Sequence, residues 1–257
     1  MKFGLAFASS IGIEADDSLE ICRRAEAAGF ESVWGGEHVI LPTTIESPYP
    51  YTADGKIPAQ PDTPIPDPLI WLAYVAAAAP TLRLGTCILI VPQRNPLVLA
   101  KELATLDRLS GGRVELGLGV GWMREEFDAL GVPWDHRGAR NDEYIAAMRA
   151  LWAGPHAEFH GEFVDFPPVT CSPARFKRRY RSWSEAIPRP RFDAPCALPM
   201  ATFPARAMPP DSVVSFPSYA WLPTHMVAIP TPSRSTQCSG FRWPIRLLVR
   251  NNSANLA

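Results

Sequence analysis

Over the first 170 residues, apolar positions recur alternately with the period of a strand and that of a helix. Residues 2–8 (KFGLAFA), 30–35 (FESVWG), 83–91 (RLGTCILIV) and 113–121 (RVELGLGVG) read as strands, short and rich in apolar residues. Between them the sequence predicts a helix capped at Asp16-Asp17-Ser18 and stopped at Gly29. An apolar helix over 69–79 is ended by Pro80, and an amphipathic one over 96–109 has Pro96 in its first turn. Helices over 123–130 and 139–152 and a hairpin around 159–166 follow. The prolines of 41–68 predict a long surface loop over one end of the sheet. Strand and helix alternating in this way predict an α/β fold with a parallel sheet.

Composition changes at about residue 170. Residues 1–170 hold 13 Lys+Arg and 23 Asp+Glu, a balance of 13 − 23 = −10, whereas 171–257 hold 12 and 3, or 12 − 3 = +9. Glycine falls from 16 to 1 across that point, and the 87-residue tail carries 13 prolines. Eleven of its twelve cations are arginine. Such a segment has few positive-φ turns and few uninterrupted helices, so the tail is expected to be largely irregular. The net charge of −1 is a cancellation, and it gives no reason to expect nucleic acid as a partner. The tail run 176–183 (FKRRYRSW) mixes cations with aromatics, but an isolated run of this kind is a weak nucleic-acid signal.

No apolar stretch reaches the roughly 18 to 20 residues of a membrane span, and no signal-peptide pattern opens the chain. Five cysteines (22, 87, 171, 196 and 238) form no CxxC, and an odd number favours reduced thiols in a cytoplasmic protein. Metal-ligand spacing is absent too: His156 and His160 lie among Gly154, Pro155 and Gly161, so no helix presents them together.

In a parallel barrel, chemistry sits at the C-terminal ends of the strands. Those ends supply Gly35-Gly36-Glu37-His38 after the second strand, Gly85-Thr86-Cys87-Ile88 in the third, and Gly117, Gly119 and Gly121 in the fourth. Alternation puts the three glycines on one face, which either a flat cofactor ring or a closely packed neighbour must fill. The run GLGVG is no dinucleotide fingerprint, because its third glycine comes one residue early and the strand is the fourth. Cys87, in an apolar strand, reads as an inert thiol. His38 beside Glu37 is the best candidate for polar chemistry.

The runs 85–96 (GTCILIVPQRNP), 100–113 (AKELATLDRLSGGR), 117–127 (GLGVGWMREEF) and 29–34 (GFESVW) with Glu37-His38 resemble the luciferase-like monooxygenase family. The nearest branch looks like the oxidoreductases that use coenzyme F-420, a deazaflavin. The resemblance implies a TIM-like (β/α)8 barrel and hydride transfer between F-420 and a small organic substrate. The alternatives are an FMN-dependent monooxygenase and a non-catalytic remnant of such a barrel. It also implies that His38 sits near the ring, that Thr86, Cys87 and Ile88 support it through a non-proline cis peptide at 87–88, and that Gly119 and Gly121 give it room. Some relatives place a proton-donating glutamate where this chain has Trp122, so Glu37 or His38 is left as the catalytic proton handler. A homodimer is compatible with the family; a metal, a nucleic acid and a membrane are not expected.

The resemblance covers residues 1 to about 170, after which the barrel's later βα units and phosphate loop have no counterpart. The chain is therefore expected to comprise a barrel portion, 1–172, and a divergent tail, 173–257. The tail's composition looks like a shifted reading frame or an unrelated segment joined on.

Overall fold

The structure is a computed structural model that describes residues 3–175 and 228–230. Helix and strand alternate from the start. Strand β1 (Phe3–Leu5) leads through a 3-10 turn (Ala8–Ser10) to α1 (Ala15–Ala27), then β2 (Ser32–Gly35). Helix α2 (Pro68–Ala76), β3 (Arg83–Ile90), α3 (Pro96–Leu109) and β4 (Val114–Gly119) follow. Two more helices, α4 (Arg124–Ala129) and α5 (Arg137–Ala153), precede an antiparallel hairpin of β5 (Ala157–His160) and β6 (Asp165–Val169). The order in the sheet is β4-β3-β2-β1, all parallel, the arrangement of the first four units of a (β/α)8 barrel.

One strand departs from the expected parallel sheet. β7 (Ala228–Pro230) pairs antiparallel with β1, Gly4 opposite Ile229. Apart from 171–175 and this strand, the tail expected to be irregular lies outside the described residues.

Strand β1 is shorter than its apolar pattern predicts. Phe7 takes φ 52, a left-handed conformation unusual for an aromatic residue, and the chain turns there instead of extending. Helix α1 is capped differently as well. Its N-cap is Glu14, without a side-chain bond, so Asp16 and Asp17 fall inside the first turn where they complement the helix dipole. Ser18 is turned inward, donating to the Gly12 carbonyl at 2.8 Å and accepting from Trp71 Nε1 at 3.1 Å. The caps of α2 and α3 are Asp67 and Asn95, each accepting from two backbone amides ahead of a proline at the first turn.

The core lies between the sheet and its helices. Leu72, Val75, Leu82, Leu84, Leu89, Leu99, Leu103 and Leu116 are fully buried there. On the opposite face of the sheet, a Cβ at Gly85 would stand 2.1 Å from the Trp34 ring, and one at Gly4 would stand 2.5 Å from its Nε1. Glycine on both flanking strands therefore lets one buried indole lie across β1, β2 and β3. Trp34 Nε1 is satisfied by the Ser32 hydroxyl at 2.8 Å. Trp34 thus packs across the inner face below the strand ends.

Candidate active site

The C-terminal ends of β2, β3 and β4 meet in one place. Residues 36–67 run without helix or strand from β2 to α2, and the first of them carry Glu37 and His38. A cavity of about 110 Å³ opens there, lined by Glu37, His38, Val39, Ile65, Asp67 and Arg94.

Glu37 and His38, adjacent in sequence, have different surroundings. The Glu37 side chain is 2% exposed, with Oε1 held by Arg94 Nε at 2.8 Å and by Arg94 Nη2, and Oε2 by the Ile90 amide. Burial pushes its carboxyl above the ordinary range, with Arg94 and the Ile90 N–H pulling the other way. For Asp67, burial is outweighed by bonds from Arg94 and the amides of Leu69 and Ile70, which hold its carboxyl low. His38 instead points one ring nitrogen, Nδ1, at Glu126 Oε2, 3.0 Å away, and Glu126 Oε1 accepts from the Val39 amide at 2.6 Å. Both oxygens of Glu37 are therefore engaged by protein donors, while Nε2 of His38, a residue that lines the cavity, has no bonded partner among the described residues.

An aromatic chain extends from His38. The Trp122 ring meets His38 edge-on at 5.8 Å between centroids, Tyr49 meets Trp122 at 5.0 Å, and Tyr51 meets Tyr49 at 5.2 Å. Burial, with Cys87 nearby as a smaller cause, pushes the Tyr49 phenol upward. The loop predicted to cover the strand ends thus folds down over them. Two backbone amides pin it in place: Glu46 N and Ser47 N donate to Glu125 Oε1 at 2.7 and 2.8 Å.

The Cys87–Ile88 peptide is cis, as the resemblance implies, and the β3–β4 register shifts between Thr86 and Leu89. Thr86 is fully buried. Its hydroxyl donates to the Gly117 carbonyl at 2.9 Å and accepts from the Gly117 amide at 3.1 Å, fastening the bulge to β4. Surrounding protein pushes the Cys87 thiol up to about 11, so it is no ready nucleophile. A Cβ at Gly117 would lie 2.3 Å from the Thr86 carbonyl oxygen, and one at Gly119 would lie 2.0 Å from Ile88 Cδ1. Gly121 has φ +79 and would place a Cβ 2.6 Å from the Phe127 ring. These glycines do share a crowded region, and their immediate neighbours here are protein atoms.

The structure therefore gathers Glu37, His38, Cys87, Ile88 and Gly119 around the strand ends, with Thr86 behind the bulge. It adds Glu126, Arg94, Asp67, Trp122 and Tyr49. Glu126 lies 88 residues from His38 and the Tyr49 contact rests on an irregular loop, so neither had a local sequence signal. Among the described residues no group of three or more His, Cys, Asp or Glu could hold a metal ion. No described helix is long and apolar enough to cross a membrane.

The comparisons with known proteins agree with this fold. An uncharacterised protein of Mycobacterium tuberculosis is 37% identical over 174 residues, covering 67% of this chain and 61% of the relative. The crystal structure of the monooxygenase RslO1 of Streptomyces bottropensis superposes with a TM-score of 0.57 at 32% identity, over 71% of this chain and 52% of that one. An F-420-dependent secondary alcohol dehydrogenase, solved with an F-420–acetone adduct, superposes with a TM-score of 0.54 at 24% identity, over 71% and 52% of the two chains. The chain thus spans about three-fifths of that curated relative's length. The family profile described as luciferase-like monooxygenase matches residues 1–188, and the chain belongs to that family of barrel-fold oxidoreductases.

Proposed function

We propose that this barrel portion is built for hydride transfer between coenzyme F-420 and a small organic substrate, with His38 as the proton-handling side chain. One observation carries the reading: His38 lines the cavity at the strand ends with Nδ1 engaged by Glu126 and, among the described residues, no partner on Nε2. Histidine suits such work because its ordinary pKa lies near neutrality. Glu37, gripped by Arg94 and the Ile90 amide, is assigned the structural role of the pair.

The residues present fit the ring end of such a group. Ser9, in the turn directly after β1, is fully buried with a hydroxyl that has no hydrogen-bond partner among the described residues, an unspent polar atom at the same strand ends. The cavity is smaller than the roughly 300–1,000 Å³ of complete ligand pockets, as a site framed by four of eight barrel strands would be. Cys87, Ile88, Gly119 and Gly121 would back the ring, and Thr86 would hold their strands in register. The deazaflavin would supply the hydride chemistry. The protein's part is to orient, to exclude water beneath the Tyr49 loop, and to hold a proton at His38.

Titrating the purified chain with F-420 and with FMN, by absorbance and fluorescence quenching, tests the reading. Saturable F-420 binding that weakens in His38→Asn supports it. Binding of FMN alone would favour the second reading, an FMN-dependent monooxygenase; the likeness to the monooxygenase RslO1 supports the oxygenase part of that reading. Binding of neither would leave a non-catalytic barrel remnant, consistent with the compositional break at residue 170.

A homodimer belongs to the same proposal. Ile70 on α2 is 74% exposed and Val98 on α3 is 56% exposed, and a second copy would cover them. Sedimentation velocity of the chain and of Ile70→Glu reads the association directly.

A further inference from the structure

Building on the assignment of His38, we propose that Glu126 is its positioning residue: the carboxylate holds the imidazole by an Nδ1–H bond and leaves Nε2 as the working nitrogen. Glu126 is 1% exposed, and a buried carboxylate is costly unless its oxygens are bonded. Here each oxygen has its own donor, Val39 N at 2.6 Å on Oε1 and the His38 ring at 3.0 Å on Oε2. The two bonds grip consecutive residues, one by backbone and one by side chain, so the ring can neither swing nor slide along the loop. The helix that carries Glu126 is itself anchored by Met123 and Phe127, both fully buried on either side of it in sequence. Trp122, edge-on to the imidazole, closes a further side.

A carboxylate that already accepts one amide hydrogen bond can still accept a second from Nδ1–H, and this fixes the neutral tautomer with its lone pair on Nε2. A residue needed only to tie down the loop would be satisfied by the Val39 bond and would leave the tautomer free. That difference makes the assignment testable without any bound cofactor.

The experiment is nitrogen-15 NMR of the whole histidine-labelled chain, recorded above the pH at which the imidazole titrates, with His38 identified by its loss in His38→Asn. The expected wild-type spectrum shows one His38 tautomer, protonated at Nδ1 and bare at Nε2. In Glu126→Gln the amide oxygen stays on Val39 N and the amide NH2 faces Nδ1, so the spectrum switches to the Nε2–H form; Glu126→Asp restores the wild-type form in part. An Nε2–H tautomer in the wild type, or the same tautomer in wild type and Glu126→Gln, overturns the proposal. Should Glu126→Gln fail to melt cooperatively, the wild-type and Glu126→Asp spectra decide alone. Normal tautomer switching in a chain that binds neither F-420 nor FMN would overturn the function proposed for the site and leave the Glu126–His38 pairing standing.

Discussion

Arg94 Nε donates to Glu37 Oε1 at 2.8 Å while Nη2 of the same guanidinium reaches Glu37 and Asp67, so one cation ties the end of β2 to the N-cap of α2. The contact joins residues 57 apart and lies along one wall of the cavity. It also explains why a glutamate can be buried at a barrel mouth.

Removing that cation should be severe. Arg94→Met leaves Glu37 buried without its counter-charge, and breaking such a pair costs about 3–5 kcal/mol. The expected outcome is a lower urea midpoint, with much of the loss recovered in the Arg94→Met, Glu37→Gln double variant. The sign with pH follows from Glu37. Its native carboxyl is already raised by burial and would rise further without Arg94, so the native state binds the proton more tightly than the unfolded chain. The deficit of Arg94→Met should therefore be fully developed at neutral pH and shrink on acidification. A deficit that grows as pH falls would contradict this account.

Glu125 should hold the Tyr49 loop down well into acid. Burial opposes its ionisation, but its own amide, the Ser47 hydroxyl and the amides of Ser47 and Glu46 outweigh that and bring the carboxyl to about 2, against 4.5 ordinarily. A lowered native pKa gives stability that is complete above the unfolded value and is lost as pH falls from there through about 2. Hydrogen exchange at the Glu46 and Ser47 amides should stay slow at pH 5 and quicken only in stronger acid. Glu125→Ala should abolish this protection at every pH while leaving the amides of β3 protected. Equal protection in both proteins would show that other contacts hold the loop.

How far the sequence revealed all this depends on whether a feature is local. Helix α3 was placed at both ends because Pro96 and the serine and glycines at 110–112 are signals written next to the helix they bound. Strand β1 reads too long in the sequence because the left-handed turn at Phe7 carries no residue-type signal; an aromatic there reads as more strand. The expected cap at Asp16-Asp17-Ser18 failed because Ser18 serves Gly12 and Trp71, a contact from another helix that no local rule contains. His38 and Glu37 were legible as strand-end residues, but what separates their roles, Arg94 on one and Glu126 on the other, comes from 57 and 88 residues away. The antiparallel strand on β1 lies in the proline-rich tail that the sequence predicts to be largely irregular.

The glycines of β4 should not be equivalent. A Cβ on Gly117 would strike the Thr86 carbonyl, which is backbone fixed by the Thr86–Gly117 bonds and cannot step aside. Gly117→Ala should therefore cost at least the 1–3 kcal/mol typical of overpacking. On Gly119 the obstacle is the Ile88 Cδ1 methyl, the far end of a side chain that can rotate, so Gly119→Ala should cost less. Thermal melts rank the two, and adding Ile88→Val to Gly119→Ala should return part of the loss. Gly119→Val, if it melts as Gly119→Ala does, should weaken F-420 binding, because its branches displace Ile88, the side chain proposed to back the ring. Unchanged affinity would assign the glycine to strand packing alone.

The compositional break should have a genetic cause, and the structure narrows where to look for it. Through residue 175 the chain still lies along α3: Arg108 Nε donates to the Ala174 carbonyl at 2.8 Å, Lys101 reaches the Ser172 carbonyl, and Arg175 is buried over the Trp152 ring at 4.8 Å. The family match also extends to residue 188, beyond the point where glycine disappears. A barrel needs glycines at its strand ends and helix stops, and 87 residues with one glycine and 13 prolines supply neither. Resequencing the locus should reveal that a one- or two-base shift near codon 173 restores glycine-bearing βα sequence in the same DNA. Neither alternative frame yielding such sequence would refute the shift and leave an unrelated segment joined to the barrel portion. A corrected chain, expressed beside this one, should then melt more cooperatively, because the four remaining βα units would pair with the β4 edge, which no described strand does.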